Sequence, residues 1–310
     1  MSKEILLDIC NAEAAEHYTW SMFFYKIDRR SREQPYKFYK VRFKNDQYLL
    51  SYAKSLMNSV RKFQIASIES VQDYDGVNTK ISCDKIALDH ALISAPWAIF
   101  SRALGAASGD KVGEKVNGYV LFGESQVEDN KTITFIKTAN PITSLTNKRS
   151  VIFTTNAQDE LDMFTDTVCR LYLNTDILVS ENTMYTFNHN FETLFNIEKT
   201  MAKVKSVAID AIVATAAFSN AEAFKSYALQ YTSSRTFITL KPERIKRIED
   251  KHKRADIANM LKIDLDELGN FIIDSKEKAS YLIKYLCFKI FKDGETSDVL
   301  EANTISTLNI

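Results

Sequence analysis

The sequence predicts an α+β fold, in which mixed or antiparallel sheet regions precede a helical C-terminal part. Short runs of aromatic and β-branched residues occur up to residue 188, and apolar residues recur at helical spacing from Phe191 to about Gly269. Strands followed by a run of helices are typical of α+β proteins rather than of doubly wound sheets. Hydrophobic and charged contents of 45% and 26% are those of a soluble globular protein.

The first elements form a predicted β-hairpin. The runs HYTWSMFFYKI (17–27) and YKFYKVRFK (36–44) are rich in strand-forming residues. The polar stretch DRRSREQP between them predicts a long basic loop that joins two strands of a hairpin.

A helix is predicted next, because Asn45 and Asp46 are typical helix-start residues and apolar residues follow them at helical spacing. The run 64–71 predicts a further strand. Residues 85–107 are apolar and predict a partly helical segment, which Pro96 must either break or begin.

The stretch 105–118 holds four of the eight glycines and predicts a flexible loop or a boundary. We therefore predict an N-terminal α+β domain (1–115) and a C-terminal domain of strands and then helices (116–310). The elements predicted in the second domain are strands at 119–125, 131–138, 149–154 and 177–188, a helix at 159–173, and a helical part with breaks near Ser219, Asn220 and Pro242.

Composition argues against several classes of protein. The four cysteines lie far apart and form no C-x-x-C pair, which predicts reduced thiols rather than a disulfide framework or a zinc site. Acidic residues lie within and after the short apolar run at the N-terminus, so no signal peptide is expected. The best candidate for a membrane span, 209–218, is too short to cross a bilayer and includes Asp210.

The formal net charge of zero hides two basic regions. Residues 25–44 hold eight basic and two acidic side chains, and residues 235–254 hold eight basic and three acidic ones. The rest of the chain has 24 basic and 35 acidic groups, a net charge of −11. Such a body repels nucleic acid wherever it is not locally basic, which predicts one docking face.

The first basic region carries cations that internal pairing cannot neutralise. Only Asp28 and Glu33 oppose its positive charge. If 36–44 is a strand, its cations share one face and Tyr39, Val41 and Phe43 share the other. The candidate anion-binding residues of this region are Arg29, Arg30, Arg32, Lys40, Arg42 and Lys44. Burial is expected for the aromatic residues Tyr25, Tyr36 and Phe38, in preference to stacking on bases.

The second basic region predicts a helix that begins at Pro242, because a proline suits the first turn. At 100° per residue, a narrow stripe faces the core (Ile245, Ile248, His252 and Ala255). Beside it lies a predicted phosphate-binding edge of roughly 15 Å, made of Arg244, Arg247, Lys251 and Arg254. The alternative is an ordinary solvated helix with the i,i+4 pairs Glu243–Arg247, Lys246–Asp250 and Asp250–Arg254.

No catalytic, metal-binding or cofactor-binding residue is predicted. The sequence lacks a phosphate-binding glycine loop, an H-E-x-x-H pair and a serine nucleophile elbow. Glu249-Asp250-Lys251 superficially resembles the acid–x–lysine element of metal-dependent nucleases. In a helical pattern, however, Asp250 more naturally pairs with Lys246 or Arg254.

The second half of the chain resembles a known family. The run DILVSENTMYTFNHNFETLFNIEKT (176–200) combines a strand pair with a Phe191-Glu192 helix start. An alanine-rich helix, a linker with Arg235, a basic helix and the segment NFIIDSKEKASYLIKYLCFKIFKDGETSDVL (270–300) follow. Over roughly 116–310 this order resembles the KwaB family, the soluble subunit of the bacterial Kiwa anti-phage defence system.

The resemblance implies a DNA-binding effector that acts with a small transmembrane partner, KwaA. It implies that the complex lies at the inner membrane and restrains phage DNA replication or late transcription. It carries no individual DNA contacts over to this chain. We expect a cytoplasmic protein that is peripheral to the membrane through its partner and assembles as a homodimer or higher homo-oligomer.

The leading hypothesis is therefore a protein that binds DNA through phosphates with little sequence preference, because no recognition helix or zinc-finger pattern is present. Two alternatives remain. A metal-dependent nuclease with a dispersed site would nick supercoiled plasmid in the presence of magnesium or manganese, and EDTA would abolish the nicking. A protein-interaction module with an acidic partner would not shift DNA at physiological salt.

Overall fold

A computed structural model describes residues 3–31, 33–76, 82–109, 116–144, 152–155, 161–164, 167–292 and 299–301. The strands in these ranges are β1 (Tyr18–Ile27), β2 (Tyr36–Lys40), β3 (Ser70–Asp73), β4 (Ser82–Ala87), β5 (Gly118–Ser125), β6 (Thr132–Lys137), β7 (Ile142–Ser144), β8 (Ile152–Thr155), β9 (Leu161–Phe164), β10 (Thr167–Cys169), β11 (Ile177–Ser180), β12 (Thr183–Thr186), β13 (Ile290–Lys292) and β14 (Val299–Glu301).

Helices account for much of the remaining chain. The α-helices of the described residues are α1 (Lys3–Ile9), α2 (Asp46–Ser59), α3 (Ser94–Gly105), α4 (Asn190–Leu194), α5 (Ile197–Val213), α6 (Ala221–Tyr231), α7 (Pro242–Glu249), α8 (Lys251–Leu261) and α9 (Lys276–Leu286). Short 3₁₀ segments span Ala12–His17 and Ser234–Thr239, and a π-helical segment spans Val60–Ile65.

The chain forms two compact units, and neither is continuous in sequence. Unit 1 comprises residues 1–71 and 80–195, and unit 2 comprises 72–79 and 196–310. The predicted boundary after residue 115 lies inside unit 1, because β5 pairs with β1 along eight residues. Residues on both sides of that boundary therefore share one sheet.

Unit 1 is built on a sheet whose strands follow the order β2-β1-β5-β6-β11-β12-β4-β3, and the chain leaves unit 1 after residue 71, within β3. The pairings from β2 through to β4 are antiparallel. With helices and sheet in one chain, the α+β fold class is confirmed. The predicted hairpin is confirmed too, with Tyr25 opposite Phe38 and Ile27 opposite Tyr36.

One face of the sheet packs against α2. The Asn45 side chain accepts a hydrogen bond from the Gln47 amide (2.9 Å) and so caps this helix as predicted. The helix buries Leu49, Ala53 and Leu56 in a core with strand side chains such as Met22 and Phe24.

The opposite face near β1 and β2 carries a cluster of aromatic rings. Phe100 of α3 lies 5.0 Å from Phe38 and 5.1 Å from Tyr36, measured between ring centroids. Tyr25 packs against the same ring at 6.2 Å. Edge-to-face contacts of this kind add to the burial of apolar area. The predicted burial of Tyr25, Tyr36 and Phe38 is confirmed.

Pro96 lies in the first turn of α3, where a backbone N–H would have no partner within the helix, so the proline begins the helix rather than breaking it.

One predicted element was wrong in part and another was wrong. Residues 64–67 of the predicted strand 64–71 continue the helical segment that follows α2, whereas residues 70 and 71 belong to strand β3. The predicted helix 159–173 contains β9 and β10 instead. These strands pair with β8 and β7, so strand pairing overrides the local helical pattern. Residues 110–115 of the glycine-rich stretch lie outside the described residues.

Unit 2 is mainly helical, and the breaks predicted near Ser219, Asn220 and Pro242 are confirmed. Its core is formed by α5 to α9, where Phe218 stacks on Phe224 at 4.2 Å between ring centroids. The segment 72–79 belongs to this unit: Asp75 forms a buried ion pair with Lys289 (3.5 Å), and Arg235 donates a hydrogen bond to the carbonyl of Gly76 (2.9 Å).

A buried carboxylate lies at the start of β11 in unit 1. Asp176 is 2% exposed and accepts hydrogen bonds from Lys137 (2.8 Å), the Thr138 amide (2.8 Å) and the Asn188 amide group (2.7 Å). Burial alone would raise the pKa of Asp176. The hydrogen bonds from Lys137 and Thr138 outweigh it, so the pKa of this carboxyl lies below its ordinary value.

We expect Asp176→Asn to lower the free energy of unfolding at pH 7 by about 3 kcal/mol, because the Lys137 ammonium would lose its buried anion. The ionised carboxylate stabilises the fold fully above its unfolded pKa, about 4, and this contribution is lost as pH falls through the lower folded pKa. Urea unfolding at pH 7 and at pH 3 measures both effects.

The matched control is Asp210→Asn, since Asp210 forms an exposed ion pair with Lys225. It should change stability by less than about 1 kcal/mol. If the difference in unfolding free energy between Asp176→Asn and wild type were the same at pH 7 and pH 3, the stabilising role assigned to the ionised carboxylate would be contradicted.

Candidate nucleic-acid interface

The predicted cations of unit 1 lie on β2 and its flanking segments. Five of them are exposed, and we call them the hairpin cations: Arg29, Arg30, Lys40, Arg42 and Lys44. The sixth, Arg32, lies outside the described residues. Strand β2 ends at Lys40, yet the Val41 amide still donates to the Met22 carbonyl (2.8 Å), so the chain stays close to β1. Val41 and Phe43 are partly buried between exposed cations, so burial alternates as predicted, although the predicted strand 36–44 ends four residues early.

The hairpin cations are not neutralised by neighbouring acids. Within the described residues, none of them forms an ion pair with a carboxylate. The Asp28 carboxylate instead accepts a hydrogen bond from the backbone amide of Arg30 (3.0 Å). Arg29 donates to the carbonyl of Thr193 (3.3 Å), which orients its guanidinium without removing its charge.

Sequence reasoning missed two further lysines of this surface. Lys26 on β1 and Lys37 on β2 are directly opposite each other in the hairpin register. Both ammonium groups lie over the Tyr39 ring, at 5.8 Å and 5.1 Å from its centroid. Like charges in opposite positions destabilise a strand pair, and the ring face attracts both cations. The exact register of the hairpin was needed to find this pair.

The predicted cationic helix of unit 2 is two helices. Asp250 is extended (φ −81°, ψ 117°); α7 ends before it and α8 begins after it. Its carboxylate accepts hydrogen bonds from the amides of His252 (2.9 Å) and Lys253 (3.4 Å), which makes it the N-cap of α8. The single stripe of four cations was therefore wrong, and His252 and Ala255 are exposed rather than in the core.

Arg254 is a buried structural residue and not part of a phosphate-binding edge. It is 3% exposed. Its guanidinium donates to the carbonyls of Ile248 (3.0 Å) and Gly269 (3.0 Å) and to the side-chain oxygen of Asn270 (2.6 Å). These bonds satisfy carbonyl groups at the end of α7 and in the loop after α8, so the predicted DNA contact at Arg254 was wrong.

Arg244 and Arg247 lie together on α7 and contact two aromatic residues. Tyr285 belongs to α9, and Phe288 follows the end of that helix. The guanidinium of Arg244 lies 3.8 Å from the Phe288 ring centroid and 5.2 Å from that of Tyr285. Arg247 donates to the Tyr285 hydroxyl (3.3 Å). Burial lowers the pKa of Arg244, and the nearby charge of Arg247 acts in the same direction. We call these four residues the α7 cluster.

The i,i+4 pairs that would have made α7 an ordinary solvated helix are absent from the described residues. Arg247 and Lys246 form no ion pair there, and the Asp250 carboxylate caps α8 and contacts Lys253 (3.7 Å). The predicted pairing of Asp250 with Lys246 or Arg254 was wrong. Lys251, the fourth predicted cation, is exposed in the first turn of α8.

The structure thus brings the predicted cations together in two sets, the hairpin cations in unit 1 and Arg244 with Arg247 in unit 2. That both sets share one outer surface stays a prediction. Among the described residues, no group of three or more His, Cys, Asp or Glu side chains could hold a metal ion. The described helices include none that is both long and apolar enough to span a membrane.

Comparison with known proteins defines the class. Residues 116–291 match the family model described as Kiwa protein KwaB-like. This match covers more than half of the chain, so the protein belongs to the KwaB-like family, and membership implies a part in Kiwa defence against phage. No curated protein and no solved structure matches the chain.

Proposed function

We propose that this chain is an effector of Kiwa defence that binds DNA through its phosphates and with little sequence preference. The observation that carries the proposal is the set of hairpin cations, which are exposed and form no ion pair with a carboxylate in the described part of the chain. On a chain of zero net charge, such a local excess of positive charge favours a polyanionic partner.

The spacing of the hairpin cations suits a nucleic-acid backbone. Lys40, Arg42 and Lys44 alternate with partly buried residues along the chain, so the three cations are exposed close together in sequence. Each phosphate that a cation neutralises releases condensed counterions, and this release drives binding irrespective of base sequence. Lys26 and Lys37 add positive charge on the same hairpin.

The α7 cluster supports the proposal independently. Arg244 and Arg247 are held by aromatic side chains, so their guanidinium groups are oriented before a ligand arrives. Less side-chain freedom is then lost when they bind phosphate, and planar guanidinium groups match phosphate geometry. Lys251 adds a further exposed cation at the start of α8.

The remaining parts of the proposal concern partners. The family works within the Kiwa system, and we propose that the chain acts there with a KwaA-like transmembrane protein, which would hold it at the inner membrane. We also propose that it self-associates as a homodimer or higher homo-oligomer. The proposed effect is restraint of phage DNA replication or transcription by binding, without a catalytic step.

We expect the affinity for duplex DNA to fall steeply with salt. If six phosphates are neutralised, the slope of log affinity against log salt should be near −5, from about −0.9 per contact. Fluorescence anisotropy with a labelled duplex at several salt concentrations measures this slope. Two unrelated duplex sequences serve as the control and should give the same affinity within about threefold, since phosphates carry no sequence information.

A slope near zero, or no binding of DNA at physiological salt, would overturn the electrostatic proposal. In the second case, a stable complex with another protein of the system would instead support an interaction module with an acidic partner.

A further inference from the structure

A groove in unit 1 lies beside the hairpin cations. Its cavity volume is about 750 Å³, within the range of small-molecule and base-binding sites. It lies between the start of β1, residues 40–43 and the first turns of α2. Three aromatic side chains line it, namely Tyr18, Trp20 and Phe43, and Lys40 and Arg42 stand at the same groove.

The aromatic side chains of the groove are held in place. The indole N–H of Trp20 donates to the carbonyl of Ala15 (2.8 Å), and the ring packs closely over Gly123, where a Cβ atom would come within 2.8 Å of it. The Tyr18 ring lies 5.5 Å from the Trp20 ring, measured between centroids. Both rings are only partly buried, so the groove offers a fixed aromatic surface rather than a filled core.

The charges at the groove favour a base inside it and phosphates beside it. Glu16 and Asp46 also line the groove, and Glu16 is paired with Lys54. Carboxylates disfavour a phosphate inside the groove but not an uncharged base. Lys40 and Arg42 are exposed and form no ion pair in the described residues, so they are available to the phosphates on either side of that base.

We propose that this groove takes an unstacked base, so that the chain prefers single-stranded DNA to duplex. The inference rests on the proposed DNA binding and names the form of DNA that the hairpin surface selects. In a duplex, a base must first be unpaired and unstacked to enter such a groove, at a cost of a few kcal/mol. A single strand offers its bases freely, and stacking on an aromatic side chain is tolerant of sequence.

The test compares oligothymidylate with the duplex that it forms with oligoadenylate, using the full chain and fluorescence anisotropy at one salt concentration. We expect the single strand to bind about tenfold more tightly than the duplex, and Phe43→Ala to reduce this ratio about tenfold. Phe43→Tyr should restore it. Tyr48→Ala is the matched control, because Tyr48 is an exposed aromatic residue of α2 that does not line the groove, and it should leave the ratio unchanged.

A second readout is independent of affinity. The chain has two tryptophans, and Trp97 stacks on Phe100 on the other face of the sheet. In a Trp97→Phe background, oligothymidylate should quench the fluorescence of Trp20, and the duplex should quench it much less. A quenched Trp20 together with a ratio that depends on Phe43 would support the groove.

Equal affinity for both forms of DNA, or unquenched Trp20 fluorescence at saturating single strand, would overturn the proposal that the groove binds a base. If duplex binding were still steeply salt-dependent, the proposed function would stand. Failure of the wild-type chain to bind either form would overturn the proposed function and the groove with it.

Discussion

Arg254→Met should lower the free energy of unfolding by about 3–5 kcal/mol, because it removes a buried charged donor and leaves buried and part-buried carbonyl groups without a partner. The carbonyls of Ile248 and Gly269 and the side chain of Asn270 would all lose their partner. Methionine is unbranched and similar in length, so the loss reports mainly the hydrogen bonds rather than a cavity. Urea unfolding followed by circular dichroism measures the change.

Lys253→Met is the matched control for this variant. Lys253 precedes Arg254 on α8, is exposed and forms only a loose ion pair with Asp250. It should change stability by less than about 1 kcal/mol. If Arg254→Met proved as stable as wild type and instead weakened DNA binding, the structural role assigned to Arg254 would have to be abandoned.

Replacing all five hairpin cations by glutamine should weaken duplex binding by at least about 100-fold and flatten the salt slope by up to about 4.5, since each lost phosphate contact removes about 0.9 from it. The fold should be unaffected, because all five side chains are exposed. The same anisotropy titration measures affinity and slope together, and thermal unfolding verifies that the variant is folded.

The control for this variant removes positive charge elsewhere. Lys131, Lys225 and Lys278 each form a surface ion pair, and their joint replacement by glutamine should alter affinity by less than about threefold. An equal loss of affinity in both variants would mean that net charge alone, and not the hairpin, governs binding.

Local sequence signals predicted much of unit 1. The hairpin followed from aromatic and β-branched runs around a polar connection, and α2 followed from Asn45 together with its apolar spacing. These signals succeed because each acts over a few residues: a side chain caps the next amide, or alternate residues share a face. The helix predicted at 159–173 failed because pairing with β8 and β7 decided its structure, and a helical pattern within the segment carries no information about strand partners.

The candidate site of unit 2 was harder to predict. Helical spacing placed Arg254 beside Arg247 on one continuous helix, but the chain breaks at Asp250. The signal was available, since an aspartate followed by a helical run is a typical N-cap, yet the i,i+4 charge pattern pointed to an unbroken helix. The burial of Arg254 depends on carbonyls up to 15 residues away, which spacing within the helix could not indicate.

The small excursion 72–79 affects how the protein can be divided. Because these residues belong to unit 2 while both flanks belong to unit 1, the polypeptide passes between the units at three points. A gene fragment that starts at residue 196 would lack the partners that Asp75 and Gly76 supply to Lys289 and Arg235. A fragment cut at residue 196 therefore does not contain a complete unit 2. Co-expression of the two fragments is a better way than truncation to separate the roles of the two units.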